Sequence, residues 1–392
     1  MKNKIFIFFL ICIIANILFV NAEEEIISYN DAVERIISNS LAISDIETRL
    51  APMRDRLSAM RLVLSWLERF QVPETMPQGN RELSGELHRL NSMRPQQARE
   101  DMIKQTEIDI IKLRREIEAL ELQQVSLALS AENQLRNTIF SYIDLKNSIE
   151  IQKSELIIEE ENLNHTTIRH SFGLVSRNAL ELAEINLNQS RLRLEESILN
   201  LNATARNLSN LLYLDHYINI EIDIDILFEE NTRSIETSPN VRILQIEVNN
   251  RNDELQRFLD ETRRERERRE RDGWPFTTAE NREISFRRGE LEYHLDRATT
   301  ERDILISRIQ TALFNGIDEL ENLITSREQS YISLERAEHE LETAELELSL
   351  GRITEHSLNQ IILNIQRINQ RIERTNLQIW LLIFRLNNPS LL

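Results

Sequence analysis

The feature that most constrains this chain is its scarcity of helix-breaking residues. Only 7 of its 392 residues are Gly and only 7 are Pro, well below the average usage of about 7% and 5%. Neither residue occurs between Pro95 and Gly173, so the sequence predicts one helix over residues 96–172. Because so long a helix has no globular core in which to bury its apolar side, we expect it to pack beside other helices.

The second half of the chain repeats this arrangement. Only Gly316 interrupts the stretch between Gly289 and Gly351, and a final helix is predicted to end near Asn388, just before Pro389. With 29% charged and only 6% aromatic residues, the composition is typical of long amphipathic helices. The sequence therefore predicts an all-α fold of long antiparallel coiled-coil hairpins in two tandem repeats.

The two long helices are predicted to end in the same kind of turn. Residues 171–176 and 349–354 both follow the order Ser, apolar, Gly, any residue, β-branched apolar, hydroxyl, and they lie 178 positions apart. The glycine can take a positive φ and end one helix, while the hydroxyl can cap the next. The hairpin-tip residues predicted from this pattern are Phe172, Gly173, Val175, Ser176, Leu350, Gly351, Ile353 and Thr354.

The same offset of 178 relates two seven-residue repeats of apolar side chains. In the first copy these positions are Leu135, Tyr142, Ile149, Leu156 and Leu163 before the turn, and Leu180, Leu187, Leu194, Leu201 and Leu208 after it. In the second copy they are Leu313, Leu320, Arg327, Leu334 and Leu341, then Leu358, Ile365, Ile372, Ile379 and Leu386. Arg327 alone departs from the pattern, which indicates a duplicated hairpin whose helices supercoil against their neighbours.

The first 22 residues are typical of a secretory signal peptide. Lys2 and Lys4 precede an apolar run, and small residues precede Glu23, so cleavage is expected after Ala22. An uncleaved anchor is the alternative, although the run is shorter than the ~20 residues of a membrane span. A lipoprotein would use Cys12, the only cysteine. Without the two lysines, 45 basic residues face 65 acidic ones, a net charge of −20 that disfavours both nucleic acid and anionic lipid as partners.

These signals predict four segments along the chain. The signal peptide covers 1–22, the first helical-hairpin repeat 23–215, a linker 216–234 and the second repeat 235–392. Within the linker, residues 218–226 alternate between Ile and polar side chains, which predicts a short strand near 218–227.

The duplicated arrangement resembles the TolC-type outer-membrane efflux family. The resemblance is centred on the two glycine turns, the heptad leucines that follow them, and an opening segment, residues 30–36. It implies a homotrimer whose six hairpins form a hollow helical barrel in the periplasm of a diderm cell. It also implies that the glycine turns meet a periplasmic adaptor and an inner-membrane pump, and that the channel conducts passively, without catalysis or cofactor.

This sequence departs from the family pattern in two respects. The family inserts β-hairpins into the connections that correspond to residues 62–95 and 271–288. The first connection here is highly charged and the second is too short for two spanning strands, so we expect these hairpins to be reduced or missing. At the positions where the family often places acidic gate residues stand Ala179 and Ser357.

Two other functions remain open at this stage. The chain could be a non-conducting periplasmic coiled-coil scaffold derived from the same fold. A periplasmic adaptor is a weaker third possibility, because an adaptor needs further β domains around a single hairpin. The predicted locations are accordingly the outer membrane or the periplasm.

The remaining motifs favour structure over chemistry. Trp66, Phe70, Trp274 and Phe276 mark the predicted outer ends of the two connections, where we expect them to pack together; contact with a membrane interface or a partner is the alternative. The basic run 263–271 is interpreted as a solvated helix end with ion pairs. His165 and His170 are five residues apart, which is not the spacing of a helical metal pair. The sequence predicts no enzyme, cofactor or metal site.

Overall fold

A computed structural model of the chain describes residues 27–69, 83–214 and 235–392, with side chains left undescribed over 83–95. These residues form seven α-helices and no strand. The helices are α1 (Tyr29–Ser38), α2 (Leu41–Arg69), α3 (Leu83–Ser171), α4 (Arg177–Leu211), α5 (Pro239–Arg271), α6 (Thr278–Ser349) and α7 (Glu355–Asn387). Two short 3-10 helices span Ile235–Thr237 and Pro389–Leu391. The predicted all-α hairpin fold is confirmed.

Helix α3 begins earlier than the sequence predicted. Its first residue is Leu83, so Pro95 lies inside the helix instead of preceding it, and Pro52 likewise lies inside α2. A proline in a helix interior removes one hydrogen bond and costs about 3 kcal/mol. In helices of 89 and 29 residues the remaining hydrogen bonds and lateral packing can offset that cost. Pro239 stands at the first position of α5, as its sequence context predicted.

The chain divides into two compact units, each built from parts of both repeats. Among the described residues, the first unit contains 27–39, 130–214 and 312–392, and the second contains 40–69, 83–129 and 235–311. Helices α3 and α6 each contribute residues to both units.

In the first unit, contacts join the helices side by side in the order α4, α3, α7, α6. Arg191 of α4 pairs with Glu160 of α3 at 2.9 Å, and Arg367 of α7 pairs with Glu155 of α3 at 2.6 Å. Leu320 of α6 packs with α7 in one apolar cluster. Each of these neighbouring pairs is antiparallel, as expected when two hairpins lie next to each other.

The heptad positions form the apolar interior of this layer. None of the twenty predicted positions is exposed. Leu135 and Leu208 are almost fully buried in one cluster, and Ile372 is buried in another together with Ala337. Gly316 permits close packing of α6 on α7, because a Cβ atom at this position would stand 2.8 Å from Cδ2 of Leu386.

Helix α1 is held against α3 and α7 by a cationic side chain enclosed in aromatic rings. The Arg136 guanidinium carbon lies 4.8, 4.3 and 4.0 Å from the ring centres of Tyr29, Trp380 and Phe384. Arg136 also pairs with Glu132 at 2.9 Å, and the Tyr29 hydroxyl donates to Glu132 at 2.6 Å. Burial, together with this hydrogen bond, raises the pKa of Tyr29.

In the second unit, α2 and α5 both pack antiparallel to α3. Ile46 and Leu50 of α2 share an apolar cluster with Leu113 and Ile117 of α3. On the α5 side, Arg115 of α3 donates to the Asp253 carboxylate at 2.7 Å. Helix α5 continues through a short turn into α6.

Several sequence predictions concern residues outside the described ranges. They are the signal peptide over 1–22, the strand near 218–227, and residues 70–82 of the first connection, which include Phe70. The second connection, predicted as residues 271–288, is described, and only the six residues 272–277 separate α5 from α6.

Candidate functional site

The two glycine turns of the first unit have the same backbone geometry. Gly173 and Gly351 have φ values of +71° and +70°. The Gly173 N–H donates to the His170 carbonyl at 2.9 Å, and the Gly351 N–H donates to the Leu348 carbonyl at the same distance. Because residues with side chains rarely adopt this conformation, glycine is favoured at both positions.

The hydroxyl that follows each glycine caps the next helix. The Ala179 N–H donates to the Ser176 side chain, and the Ser357 N–H donates to the Thr354 side chain, both at 3.3 Å. Ser176 and Thr354 therefore have the capping role that the sequence predicted. The positions compared with the family's gate, Ala179 and Ser357, are the ones that donate to these caps.

Apolar side chains are exposed at both tip turns, which we define as residues 171–176 and 349–354. Phe172 and Leu174 are exposed at the first, and Leu350 is exposed at the second. Val175 and Ile353 are partly buried. Such side chains on rigid turns form a surface that a protein partner could cover.

A polar contact that the sequence analysis missed joins the two hairpins near these turns. Glu161 of α3 lies 3.2 Å from His356 Nδ1 and accepts a hydrogen bond from the Asn359 side chain at 3.0 Å. The His165 and His356 rings are 5.8 Å apart in an edge arrangement. These partners are almost 200 residues apart and follow no local motif, so only the neighbouring positions of α3 and α7 reveal the contact.

The turn of the second unit, residues 272–277, is fixed by a different set of contacts. Gly273 has a φ of +77°, and the Trp274 N–H donates to the Arg269 carbonyl at 2.9 Å. The Thr277 N–H donates to Glu280 at 2.7 Å, and the Glu280 N–H donates to the Thr277 hydroxyl at 3.2 Å. This reciprocal pair is a capping box.

Arg269 connects the two helices that flank this turn. It pairs with Glu265 at 2.9 Å and with Glu280 at 2.7 Å, and its guanidinium carbon lies 4.6 Å from the centre of the Phe276 ring. The backbone hydrogen bond from Thr277, followed by the Arg269 hydrogen bond, lowers the pKa of Glu280 to about 2.

The aromatic residues predicted for the outer ends have different environments here. Phe276 is partly buried against Arg269, whereas Trp274 is 78% exposed and Trp66 is 60% exposed. Little of the Trp274 side chain can therefore be covered by packing against Trp66. Phe70 lies outside the described residues.

The described part of the chain contains no group of three His, Asp or Glu side chains that could hold a metal ion. Within the same ranges, no helix has an apolar segment long enough to cross a membrane.

No protein-family model matches the sequence, and no curated protein matches it. Solved structures do match, and all those named here are outer membrane proteins. The Campylobacter jejuni CmeC outer membrane channel aligns with 93% of this chain over 86% of its own length, with a TM-score of 0.61 and 12% identity. The Vibrio cholerae outer membrane protein VceC aligns with 92% of this chain over 96% of its own length, with a TM-score of 0.61 and 12% identity. The Neisseria gonorrhoeae MtrE channel in its open state aligns with 93% of this chain over 87% of its own length, with a TM-score of 0.56 and 11% identity.

The matches cover nearly the whole of this chain at low sequence identity, so they establish its fold. The chain has the fold of TolC-type outer-membrane efflux channels, and the resemblance predicted from the duplicated glycine turns is confirmed at that level.

Proposed function

We propose that this chain is one protomer of a homotrimeric helical conduit in an envelope-spanning efflux or secretion system. Three observations support this assignment: the fold, the duplicated hairpin layer of the first unit, and the unsatisfied apolar surface of that layer. In this proposal the protein conducts passively and catalyses no reaction.

The unsatisfied apolar surface carries the proposal. Helices α4 and the first-unit part of α6 each expose large apolar side chains, and three of those on α4 recur every seven residues. On α4 these residues are Leu182, Ile185, Leu192, Ile198 and Leu199, and on α6 they are Phe314, Ile317, Tyr331, Ile332 and Leu346. Exposed stripes of this kind are typical of helices that pack on another chain.

The two stripes differ in sequence and lie on different helices. If α4 of one chain packs on α6 of the next, the contact is head-to-tail, and such contacts form a ring when the rotation closes. Three copies of four helical segments give twelve helices in that ring. With interaxial distances of about 10 Å, twelve helices enclose a lumen about 30 Å across.

The tip turns are the surface that we assign to a periplasmic adaptor, which in turn would contact an inner-membrane pump. Phe172, Leu174 and Leu350 are exposed there, and the backbone that carries them is fixed by the glycine and its cap. A predicted signal peptide supports export, and the fold supports a location at the outer membrane or in the periplasm.

A second candidate is a coiled-coil scaffold that keeps the hairpins and conducts nothing. The observation that favours it is the second connection, which has only six residues between α5 and α6. The scaffold and the conduit have the same fold and the same hairpins, so only the structure of the assembled particle can distinguish these two candidate functions.

The deciding experiment is the mass and end-on image of the purified mature chain. We expect a mass three times that of one chain and a ring with a solvent-filled centre about 30 Å wide. A filled bundle would favour the scaffold, and a monomer at high concentration would contradict both.

A further inference from the structure

The contact between the two hairpins within one chain predicts the contact between two chains. In the first unit, α3 leads into one tip turn and packs on α7, which leads out of the other. In the order α4, α3, α7, α6, a neighbouring chain would place its α4 next to α6. Because α6 also leads into a tip turn and α4 also leads out of one, the two contacts are equivalent under the duplication.

The offset of 178 residues converts the first contact into the second. Adding 178 to a position in α3 gives the equivalent position in α6, and subtracting 178 from a position in α7 gives the equivalent position in α4. Under this offset the tip turns and the apolar heptads of the two hairpins coincide. Each observed pair between α3 and α7 therefore identifies an expected pair between α6 of one chain and α4 of the next.

The first informative pair is polar in both contacts. Glu161 accepts a hydrogen bond from the Asn359 side chain at 3.0 Å, and the equivalent positions are His339 on α6 and Glu181 on α4. A carboxylate again faces a polar side chain, although it now belongs to the helix that leads out of the turn. His339 and Glu181 are exposed in the single chain, as expected for side chains that meet only between chains.

The second informative pair is apolar within the chain and contains a charge between chains. Ile158 and Leu363 share one apolar cluster, and the equivalent positions are Arg336 on α6 and Ile185 on α4. Glu181 lies one helical turn before Ile185. An extended Arg336 side chain opposite Ile185 would therefore have the Glu181 carboxylate within its reach.

Arg336 has no ion pair with another described residue, although its own helix is strongly acidic. Residues 328–349 contain seven Glu, and their only basic residues are Arg336 and His339. The Glu181 side chain has a local pair with Arg177 at 2.9 Å, and both of those side chains are exposed. Because exposed pairs of this kind stabilise a single chain little, Arg336 and Glu181 are both available to a partner.

We propose that Arg336 and His339 of one chain bind Glu181 of the next chain, and that this polar cluster fixes the axial register of neighbouring chains. The inference rests on the homotrimer proposed above and adds the residues that meet at its interface. The apolar stripes supply buried area, but a stripe alone permits α6 to slide along α4. A slide of one heptad would move Glu181 about 10 Å from its partners, so the charges select one register.

A second copy of the chain explains these observations better than an unrelated protein partner. The cluster lies where the duplication predicts a contact between chains. Within one chain, Arg336 and Glu181 stand on α6 and α4, the two outer helices of the layer, with α3 and α7 between them. These side chains can meet only when two chains come together.

The first test is a pair of cysteines in the mature full-length protein, since the only natural cysteine, Cys12, lies in the predicted signal peptide. Arg336→Cys/Ile185→Cys should form disulfides between chains on mild oxidation, so that denaturing electrophoresis shows dimers and trimers. The matched control is Arg336→Cys/Leu192→Cys, in which the α4 position is shifted by one heptad. It should remain largely monomeric on the same gel.

Charge reversal tests the ion pair itself. Glu181→Arg should raise the dissociation constant of the trimer at least about tenfold, because like charges then face each other. The double variant Glu181→Arg/Arg336→Glu should restore assembly. Glu338→Arg is the control on α6, because its equivalent, Glu160, pairs with the other helix of its own hairpin. It should assemble as the wild type does.

These outcomes separate the register cluster from the conduit. A trimeric wild type whose Arg336→Cys/Ile185→Cys variant forms no disulfide between chains would overturn the cluster and leave the conduit intact. Equal cross-linking of the shifted control, or a reversed pair that fails to restore assembly, would overturn it as well. A monomeric wild type would contradict the conduit, and the cluster with it.

Discussion

Glu280 is the residue at which the contacts of the second-unit turn converge. Its carboxylate accepts from the Thr277 N–H, from the Thr277 hydroxyl and from Arg269. All three hydrogen bonds favour the ionised form and therefore lower the pKa, which falls to about 2. A side chain at the surface can thus fix the backbone that presents Trp274.

Glu280→Gln should loosen this turn in a pH-dependent way. A lowered pKa stabilises the native turn fully above about pH 4.5, the ordinary value for Glu, and this contribution disappears as the pH falls through about 2. We therefore expect faster amide hydrogen exchange over residues 272–281 in the variant than in the wild type at pH 7, and a smaller difference near pH 2.5. Glu292→Gln, which removes an exposed ion pair with Arg288, should change exchange little at either pH.

In the first unit, Arg136 is the residue on which several contacts converge, and it holds α1 in place. Its side chain is only 13% exposed and that of Glu132 is 18% exposed. Replacing Arg136 by Met leaves the Glu132 charge partly buried without its partner, at a cost of about 3 kcal/mol.

The double variant Arg136→Met/Glu132→Met should recover most of that loss, because neither buried charge then remains. Urea unfolding followed by the fluorescence of Trp380 measures all the variants, in a background of Trp66→Phe and Trp274→Phe. A double variant as unstable as Arg136→Met would show that aromatic contacts with the guanidinium, and not the charge pair, dominate.

At the scale of whole elements, the hairpins depend on glycine at the two tip turns. Gly173→Ala and Gly351→Ala should each destabilise the protein by about 1–2 kcal/mol, since φ is positive although space for a methyl group is available. Gly289 lies inside α6, also with open space around it but without a positive φ, so Gly289→Ala should stabilise by about 0.5–1 kcal/mol. Thermal unfolding followed by circular dichroism tests both signs. Destabilisation by all three substitutions would refute the backbone argument.

The turns and heptads could be predicted from the sequence because their signals are local. The glycine and the hydroxyl act within six residues, and the buried stripe repeats every seven, so both can be read without knowing the neighbouring helix. The start of α3 could not be predicted, since lateral packing decides whether a helix continues through Pro95. The contact between Glu161 and His356, like the rings around Arg136, depends on which helices are neighbours, and no short motif contains that information.

At the scale of the whole molecule, the order of helices in the first unit supports the assembly that we propose. Its two central helices, α3 and α7, have neighbours on both sides in the contacts described. Helices α4 and α6 instead keep exposed apolar stripes. In the assembly that we propose, a second copy of the chain supplies the matching stripe in each case, which connects the duplication of the hairpin to that assembly.

The variant Leu192→Glu/Leu199→Glu tests this assembly. Both leucines are exposed on α4, so substitutions there should change the stability of a single chain by less than about 0.5 kcal/mol. In the trimer the same carboxylates would be buried against an apolar stripe without partners, at a cost of several kcal/mol for each interface. We therefore expect sedimentation equilibrium to give a trimer for the wild type and a monomer for the variant, with unchanged helical content.

Leu350→Glu, a matched change at a tip turn, should remain trimeric because that position is assigned to the adaptor. A trimer in the α4 variant would place the interface between chains on another surface, and the twelve-helix conduit would then have to be abandoned.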